Sequence, residues 1–458
     1  MGKTIITLHI GENVHSWSLS SASNDGMADL ESDVIVIGAG VAGLAAAVRL
    51  RRARLRVRIV EARDRIGGRI WTRHDPLTAA PMELGAEFVH GRPPELLRLI
   101  RDAGMKLKNM PWKDGCFRHG RIGDCGDSAD GSEEILDNMK PPAGGDCSFD
   151  QYLRGVRASA EAKKRATGYV EGFNAADKRR ISVRALLKQQ QAEEEIAGDS
   201  IQRVAGGYDG VPAALWRGLR RDFDILSLNT VVTQVHWRRG RVEVIAKHAS
   251  GIDPRPFTAR FAVITLPLGV LQSGTVRFLP KPRAALEAAR NIVMGPVIRV
   301  SLLFSRWPSP HFEKLSFLHA EGEPFRTWWT QAPSREPLLT AWSGGPAALR
   351  NSGKPAERIA RVAIESLARM VKQPAARLAR SLVSFAAHDW QADPFSRGAY
   401  TYIPVGGIDA PAALANPVED TLWFAGEASD TRGHYGTVHA ALASGDRAAR
   451  EILGRRNG

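Results

Sequence analysis

A chain of 458 residues with 43% hydrophobic content can bury a large core and is long enough for two domains. Its net charge of +14 comes from 63 basic against 49 acidic side chains, but the arginines run along the whole chain without forming a basic arm. Solvated surface charge is therefore the expected meaning, and nucleic acid is not an expected partner. No apolar run approaches the roughly 20 residues of a membrane span. Cys116, Cys125 and Cys147 are an odd number without zinc-like spacing, which suggests free thiols and a reducing cytoplasm.

Residues 1–30 are polar and turn-rich, with no sustained apolar stretch and no convincing small-residue cleavage site. They read as a poorly ordered appendage rather than a secretion signal, with Met27 as an alternative start. The most informative segment follows. The apolar run Val34, Ile35, Val36, Ile37 predicts a buried strand that enters Gly38-Ala39-Gly40-Val41-Ala42-Gly43 and then an alanine-rich helix, Leu44 to Leu50. A second strand, Arg56 to Val60, ends on the acid Glu61. In this order the parts form a dinucleotide fingerprint. Gly38 permits the tight turn, Gly40 lets a pyrophosphate approach the backbone, and Gly43 brings helix and strand together. Free amides at the helix start face phosphate, and Glu61 can accept hydrogen bonds from a ribose.

After Arg69 the sequence PMELGAEFVHGRPPELLRLI predicts a short strand, a glycine loop and a helix from about Pro94. Residues 124–148, rich in Gly, Asp, Ser and Pro, read as a loop, and Phe149 to Ala197 as charged helix. Gly206-Gly207-Tyr208 precedes a helix from Val211 to Leu219. Val231 to Val235 and Arg241 to Ala246 form a predicted hairpin around Arg239-Gly240, followed by a buried strand from Phe261 to Leu266. Residues 296–346 are strand-like, and Trp328, Trp329 and Trp342 are expected in the core of that sheet. A helix from about Ala356 to Met370, a last strand from Thr421 to Ala425 and a helix from about Thr437 to Leu453 complete the chain.

The glycine triplet alone does not separate NAD from FAD. The next residues do, because Glu61-Ala62-Arg63-Asp64-Arg65-Ile66-Gly67-Gly68-Arg69 resembles the EAR-x-R-x-GGR signature of the flavin-containing amine oxidase family. That family includes monoamine oxidases, polyamine oxidases and lysine-specific histone demethylases. Three later blocks agree with it. These are Glu83-Leu84-Gly85-Ala86, then His388-Asp389-Trp390 with Asp393-Pro394 and Gly398-Ala399-Tyr400, and finally Phe424-Ala425-Gly426-Glu427 with Thr437-Val438-His439. The resemblance implies an α/β fold: a discontinuous Rossmann-like FAD-binding domain with an inserted mixed-sheet plus helical substrate domain. Residues 31–92, 200–280 and 391–458 are assigned to the first, and 93–199 and 281–390 to the second.

The resemblance also implies roles. Gly38, Gly40, Gly43, Glu61, Ala62, Arg63, Gly68 and Arg69 would hold the adenosine ribose and pyrophosphate, and Val232 would meet the adenine. Gly85, Ala86 and Trp390 would lie near the flavin, and Gly426 and Glu427 on its ribityl and pyrophosphate portion. Thr437 and Val438 open the last helix, whose positive end would face the flavin pyrimidine and favour its reduction. Small residues along that helix would let it approach the ring.

Tyr400 matches one wall of the family's aromatic cage, while the opposite wall aligns with Thr437 and leaves the cage open. His90 resembles the histidine of animal polyamine oxidases, able to bond a substrate nitrogen or move a proton. Glu87 beside it could attract a cationic amine. Ala399 replaces the cysteine that carries covalent flavin in monoamine oxidases, so the resemblance implies noncovalent FAD. Arg299 stands where most members have a lysine useful for reaction with oxygen; arginine keeps the charge but cannot act as a base.

The implied activity is oxidation of a primary or secondary amine, monoamine or polyamine, to an imine and aldehyde, with oxygen giving hydrogen peroxide. An amine dehydrogenase with another acceptor, or a flavin desaturase or isomerase on a non-amine substrate, is the alternative. No metal is expected, and a homodimer is left open.

Overall fold

The structure is a computed structural model that describes residues 30–125, 132–142, 144–220, 225–251 and 254–456. The proposed N-terminal appendage thus lies outside the described residues, apart from Leu30. The strand β1 (Val34–Ile37) is buried at every position, as the unbroken apolar run requires of a strand covered on both faces. It leads through the glycine turn into the helix α1 (Val41–Arg52) and then to β2 (Val57–Val60). These strands belong to a five-stranded parallel sheet in the order Leu226–Ser227, β2, β1, Phe261–Ile264, Leu422–Phe424. The first three elements of the fingerprint are therefore completed by strands from the middle and the end of the chain.

The side-chain period of two splits β1 between two cores. Val34 and Val36 pack with α1 and the terminal helix Val438–Arg456, whereas Ile35 and Ile37 pack with a second sheet. In that second sheet the expected hairpin pairs Thr230–Arg238 with Arg241–His248, with a register slip between Val232 and Gln234.

A seven-stranded mixed sheet forms the other half, in the order Leu382–Asp389, Val297–Phe304, Leu338–Gly344, Thr327–Trp329, Phe317–Ala320, Asp114–Arg118, Arg121–Asp124. The amphipathic helix Ala356–Val371 covers one face of it. The charged stretch expected as helix resolves into Phe149–Gly155, Ala160–Phe173 and Val183–Glu195, each started by a serine whose hydroxyl accepts a backbone amide. Among the described residues of the expected loop 124–148, Ser132–Asp137 form a helix.

The expectation of free thiols holds for Cys147 and fails for the other two cysteines. Cys116 and Cys125 form a disulfide with their Cα atoms 4.8 Å apart, leaving Cys147 as the free thiol. Their antiparallel strands bring the two together, a proximity that counting and spacing alone did not show. Among the described residues no helix is long and apolar enough to cross a membrane, and no cluster of His, Cys, Asp and Glu is suited to a metal.

Candidate active site

The three glycines of the fingerprint differ in what surrounds them. Gly38 has φ of 107°, and a β-carbon there would lie 2.5 Å from Thr265 Oγ1. A β-carbon on Gly43 would collide with the Gly38 carbonyl oxygen. Gly40 has no atom within 4 Å of that position and lines the main cavity. Two glycines are therefore demanded by the fold and one leaves space for a ligand. No side chain caps α1 at Gly40, so its N-terminal end is presented to the cavity. Gly68, with φ of 60°, packs its α-carbon side against Gly40.

Glu61 is buried, and burial raises its carboxyl. Its oxygens accept the Ala39 amide at 2.7 Å and the Arg63 amide at 2.9 Å, which locks the acid onto the glycine turn. Carboxylate oxygens retain further lone pairs, so the acid can still accept from a ligand. Arg63 reaches across the chain to Asp393 Oδ1 and Ser396 Oγ, both at 2.9 Å. Burial opposes the charge on Asp393, but bonds from His388 and Arg63 overcome it and hold the carboxyl down at about 2. Arg69 donates to the Ala399 carbonyl and to Glu427 Oε1, each at 2.7 Å.

The other Glu427 oxygen takes the Thr401 hydroxyl at 2.6 Å and the Gly436 amide at 3.1 Å. Glu427 thus ties three segments together at the place where the resemblance puts the ribityl and pyrophosphate portion of the cofactor. Gly426, with φ of 132° and nothing within 4 Å of its missing β-carbon, offers a second open backbone surface on the cavity. Ala62, Val232, Gly85, Ala86, Thr437 and Val438 line the same cavity, whose volume is about 2110 Å³. Of the small residues on the terminal helix, Gly445 serves packing, since a β-carbon there would collide with the Ala42 carbonyl oxygen of α1, while Ala441 lines the cavity.

Beyond the glycine-lined part lies an aromatic chamber. Tyr400 stacks on Trp342, with centroids 6.3 Å apart and planes 17° apart, and its ring rests against Gly436. Its hydroxyl donates to the Phe173 carbonyl at 2.5 Å, and burial pushes its pKa up, so it presents an uncharged ring. Trp390 is buried and anchored by its indole N–H to the Leu84 carbonyl at 2.8 Å. His90 stands edge-on to Phe173, 5.8 Å between centroids, and has no hydrogen-bond partner among the described residues. Burial lowers its imidazole to about 4. It is therefore neutral near pH 7, able to exchange hydrogen bonds with an amine but poorly suited to hold a proton.

Arg299 sits on the fully buried strand Val297–Phe304 and lines the chamber wall. Its guanidinium donates to the Gly85 carbonyl at 2.9 Å and to Glu87 Oε2, with the Trp329 ring centroid 5.1 Å away. Trp329 gives its indole N–H to the same Glu87 oxygen at 3.0 Å, while Arg203 pairs with the other. Burial lowers both guanidinium groups to about 9, which leaves them charged at neutral pH.

A family model described as flavin containing amine oxidoreductase matches residues 41–165 and 151–453. The chain belongs to this family. It is 29% identical to the rice protein lysine-specific histone demethylase 1 homolog 2 over 97% of this chain and 60% of that one. It is 30% identical to rice polyamine oxidase 3, covering 91% of this chain and 88% of that one. The chain thus spans about three fifths of the demethylase homolog's length. Among solved structures, a putrescine oxidase bound to putrescine has the same fold, with a TM-score of 0.78 at 24% identity over 93% of this chain and 99% of that one.

For a member of the flavin-containing family, the chain brings every predicted site residue except Gly43 to the cavity wall. Gly43 lies one layer behind, between helix and strand. Two expectations about the chamber are corrected. Trp328 and Trp329 are buried as expected, but Trp329 also borders the cavity, on the opposite side of its strand from Trp328, and the half-buried Trp342 lines it from the neighbouring strand. Glu87 is not a free anion for a cationic amine, since both its oxygens are engaged by arginine. Phe173 and Tyr169 on the cavity wall, and Arg203 behind it, were missed; nothing in their local sequence marks them, and tertiary contacts alone bring them there.

Proposed function

We propose that the protein oxidises a primary or secondary amine, monoamine or polyamine, to an imine that hydrolyses to an aldehyde, with noncovalent FAD as cofactor and oxygen giving hydrogen peroxide. The observation that carries this reading is one continuous cavity of about 2110 Å³ lined both by the glycine turn and by a set of aromatic rings. The open surfaces at Gly40 and Gly426, the uncapped start of α1 and the buried Glu61 fit the diphosphate and ribose of FAD. Ala399 has no thiol to offer, which supports a noncovalent attachment. When bound, the flavin supplies the acceptor for the electron pair leaving the carbon beside the amine nitrogen.

The chain's own part is to bind, orient and desolvate. Rings at Tyr400, Trp342, Phe173 and Trp329 exclude water and lower the pKa of an enclosed amine, since burial disfavours the charged form. Neutral His90 can exchange a hydrogen bond with that nitrogen and so orient the carbon to be oxidised. Small, linear amines are supported by the similarity to a polyamine oxidase and to a putrescine oxidase bound to putrescine.

Arg299 favours a second reading, a dehydrogenase with another acceptor, because its charge is already engaged by Glu87. Anaerobic mixing of the purified flavoprotein with a panel of monoamines and polyamines tests the function. Bleaching of the flavin band by at least one amine is expected; none would sink the amine reading. Readmitting oxygen or a quinone then separates oxidase from dehydrogenase by which one restores the colour.

A further inference from the structure

An ion pair between Arg299 and Glu87 alone would be electrically neutral. The second Glu87 oxygen, however, is held by Arg203 of the strand Ile201–Val204, so two guanidinium groups share one carboxylate. Arg203 does not line the cavity. It is 8% exposed and is fixed from behind by the Thr330 carbonyl at 2.8 Å, Gln331 Oε1 at 3.2 Å and the Phe88 ring, 4.8 Å from its guanidinium carbon. The three side chains leave one net positive charge in a wall shielded from water, where a charge acts over a longer range than in solvent. Among the described residues, Glu83 also acts on the charges of Arg299 and Arg203; its carboxyl accepts the Thr72 hydroxyl and the Tyr208 amide, each at 2.7 Å. Burial raises its carboxyl to about 7.

We propose that Arg203 is a positioning residue that holds Glu87 and keeps the Arg299 wall net positive, so that a side chain outside the cavity sets the electron affinity of a flavin bound within it. This rests on the flavin reading above. It follows from counting charge: the triad is +1, Arg203→Met makes it neutral, Glu87→Gln makes it +2, and the double variant returns it to +1. A role confined to packing predicts no such return, because the double variant removes more contacts than either single one.

The test is the flavin midpoint potential of the purified, flavin-loaded proteins. It is read by equilibration with a reference dye without amine or oxygen, at about pH 6, where Glu83 is protonated. Arg203→Met should shift the dye–flavin equilibrium about tenfold toward oxidised flavin, which is about 30 mV for a two-electron couple. Glu87→Gln should shift it the other way, while Arg203→Lys and the double variant stay close to the parent. If Arg203→Met does not fold, Glu87→Gln still decides, since an unchanged or lowered potential there overturns the proposal. A flat series in flavin-loaded protein overturns this proposal alone. Parent protein that takes up no flavin overturns the function reading as well.

Discussion

Burial decides what the polar side chains of the chamber can do. His90 is lowered to about 4 by the aromatic pocket around it, so between pH 5 and 8 it stays neutral and does not change charge. The acid limb of kcat/KM should therefore follow the amine and not a histidine near 6.5. His90→Ala should raise KM roughly tenfold, the worth of one hydrogen bond of ~1.4 kcal/mol, with kcat less affected and the limb unmoved. A limb that disappears in the variant would show that His90 exchanges the proton. Arg299 poses the converse question, because its charge persists but is shared with Glu87. Arg299→Lys keeps the charge while a single ammonium cannot fork between Gly85 and Glu87 as the guanidinium does. Peroxide release after anaerobic reduction should rise about tenfold in the variant, ~1.4 kcal/mol less barrier. An unchanged rate would remove position 299 from the oxygen reaction.

At the scale of elements, the glycine turn separates folding from binding. A methyl at Gly43 would be driven into the Gly38 carbonyl, between α1 and β1, so Gly43→Ala should unfold at a much lower temperature or fail to fold. At Gly40 the same methyl meets empty space, so Gly40→Ala should melt within a degree or two of the parent apoprotein yet retain little flavin after desalting. Calorimetry and visible absorbance on the two variants check this, and equal losses of both properties would contradict it. This turn was legible in the sequence because each glycine answers a local backbone demand. The hairpin at Arg239-Gly240 was legible for the same reason. The chamber was legible only in part: the matched blocks gave Tyr400, Trp390 and His90, but not the partners behind them. Trp329 reaches Glu87 across 242 positions, and Arg203 arrives on a strand paired with Phe88–His90; only sheet pairing creates those contacts. The Cys116–Cys125 bridge belongs with them, since spacing does not reveal that two short strands will pair.

For the molecule as a whole, the cavity is where distant parts of the chain are joined. The parallel sheet takes strands from residues 34–60, 226–264 and 422–424, and two ion pairs cross the same gap, Arg63 with Asp393 and Arg69 with Glu427. Both pairs join protein side chains directly, so acid-stripped protein should keep its fold and unfold in one cooperative step. A ligand that lies among Gly40, Glu61, Val232 and Gly426 then touches all three stretches at once. At a hundredfold excess over its Kd, FAD should stabilise the protein by ~2.7 kcal/mol. In a chain of this length that is a rise of roughly 3 °C in the unfolding midpoint. Titrating FAD into the stripped protein during calorimetry measures it, and acid should release the bound flavin again because Ala399 offers no thiol. A midpoint that stays fixed while the protein takes up yellow colour would place the flavin outside these three stretches, and flavin left on the denatured chain would mean a covalent bond elsewhere.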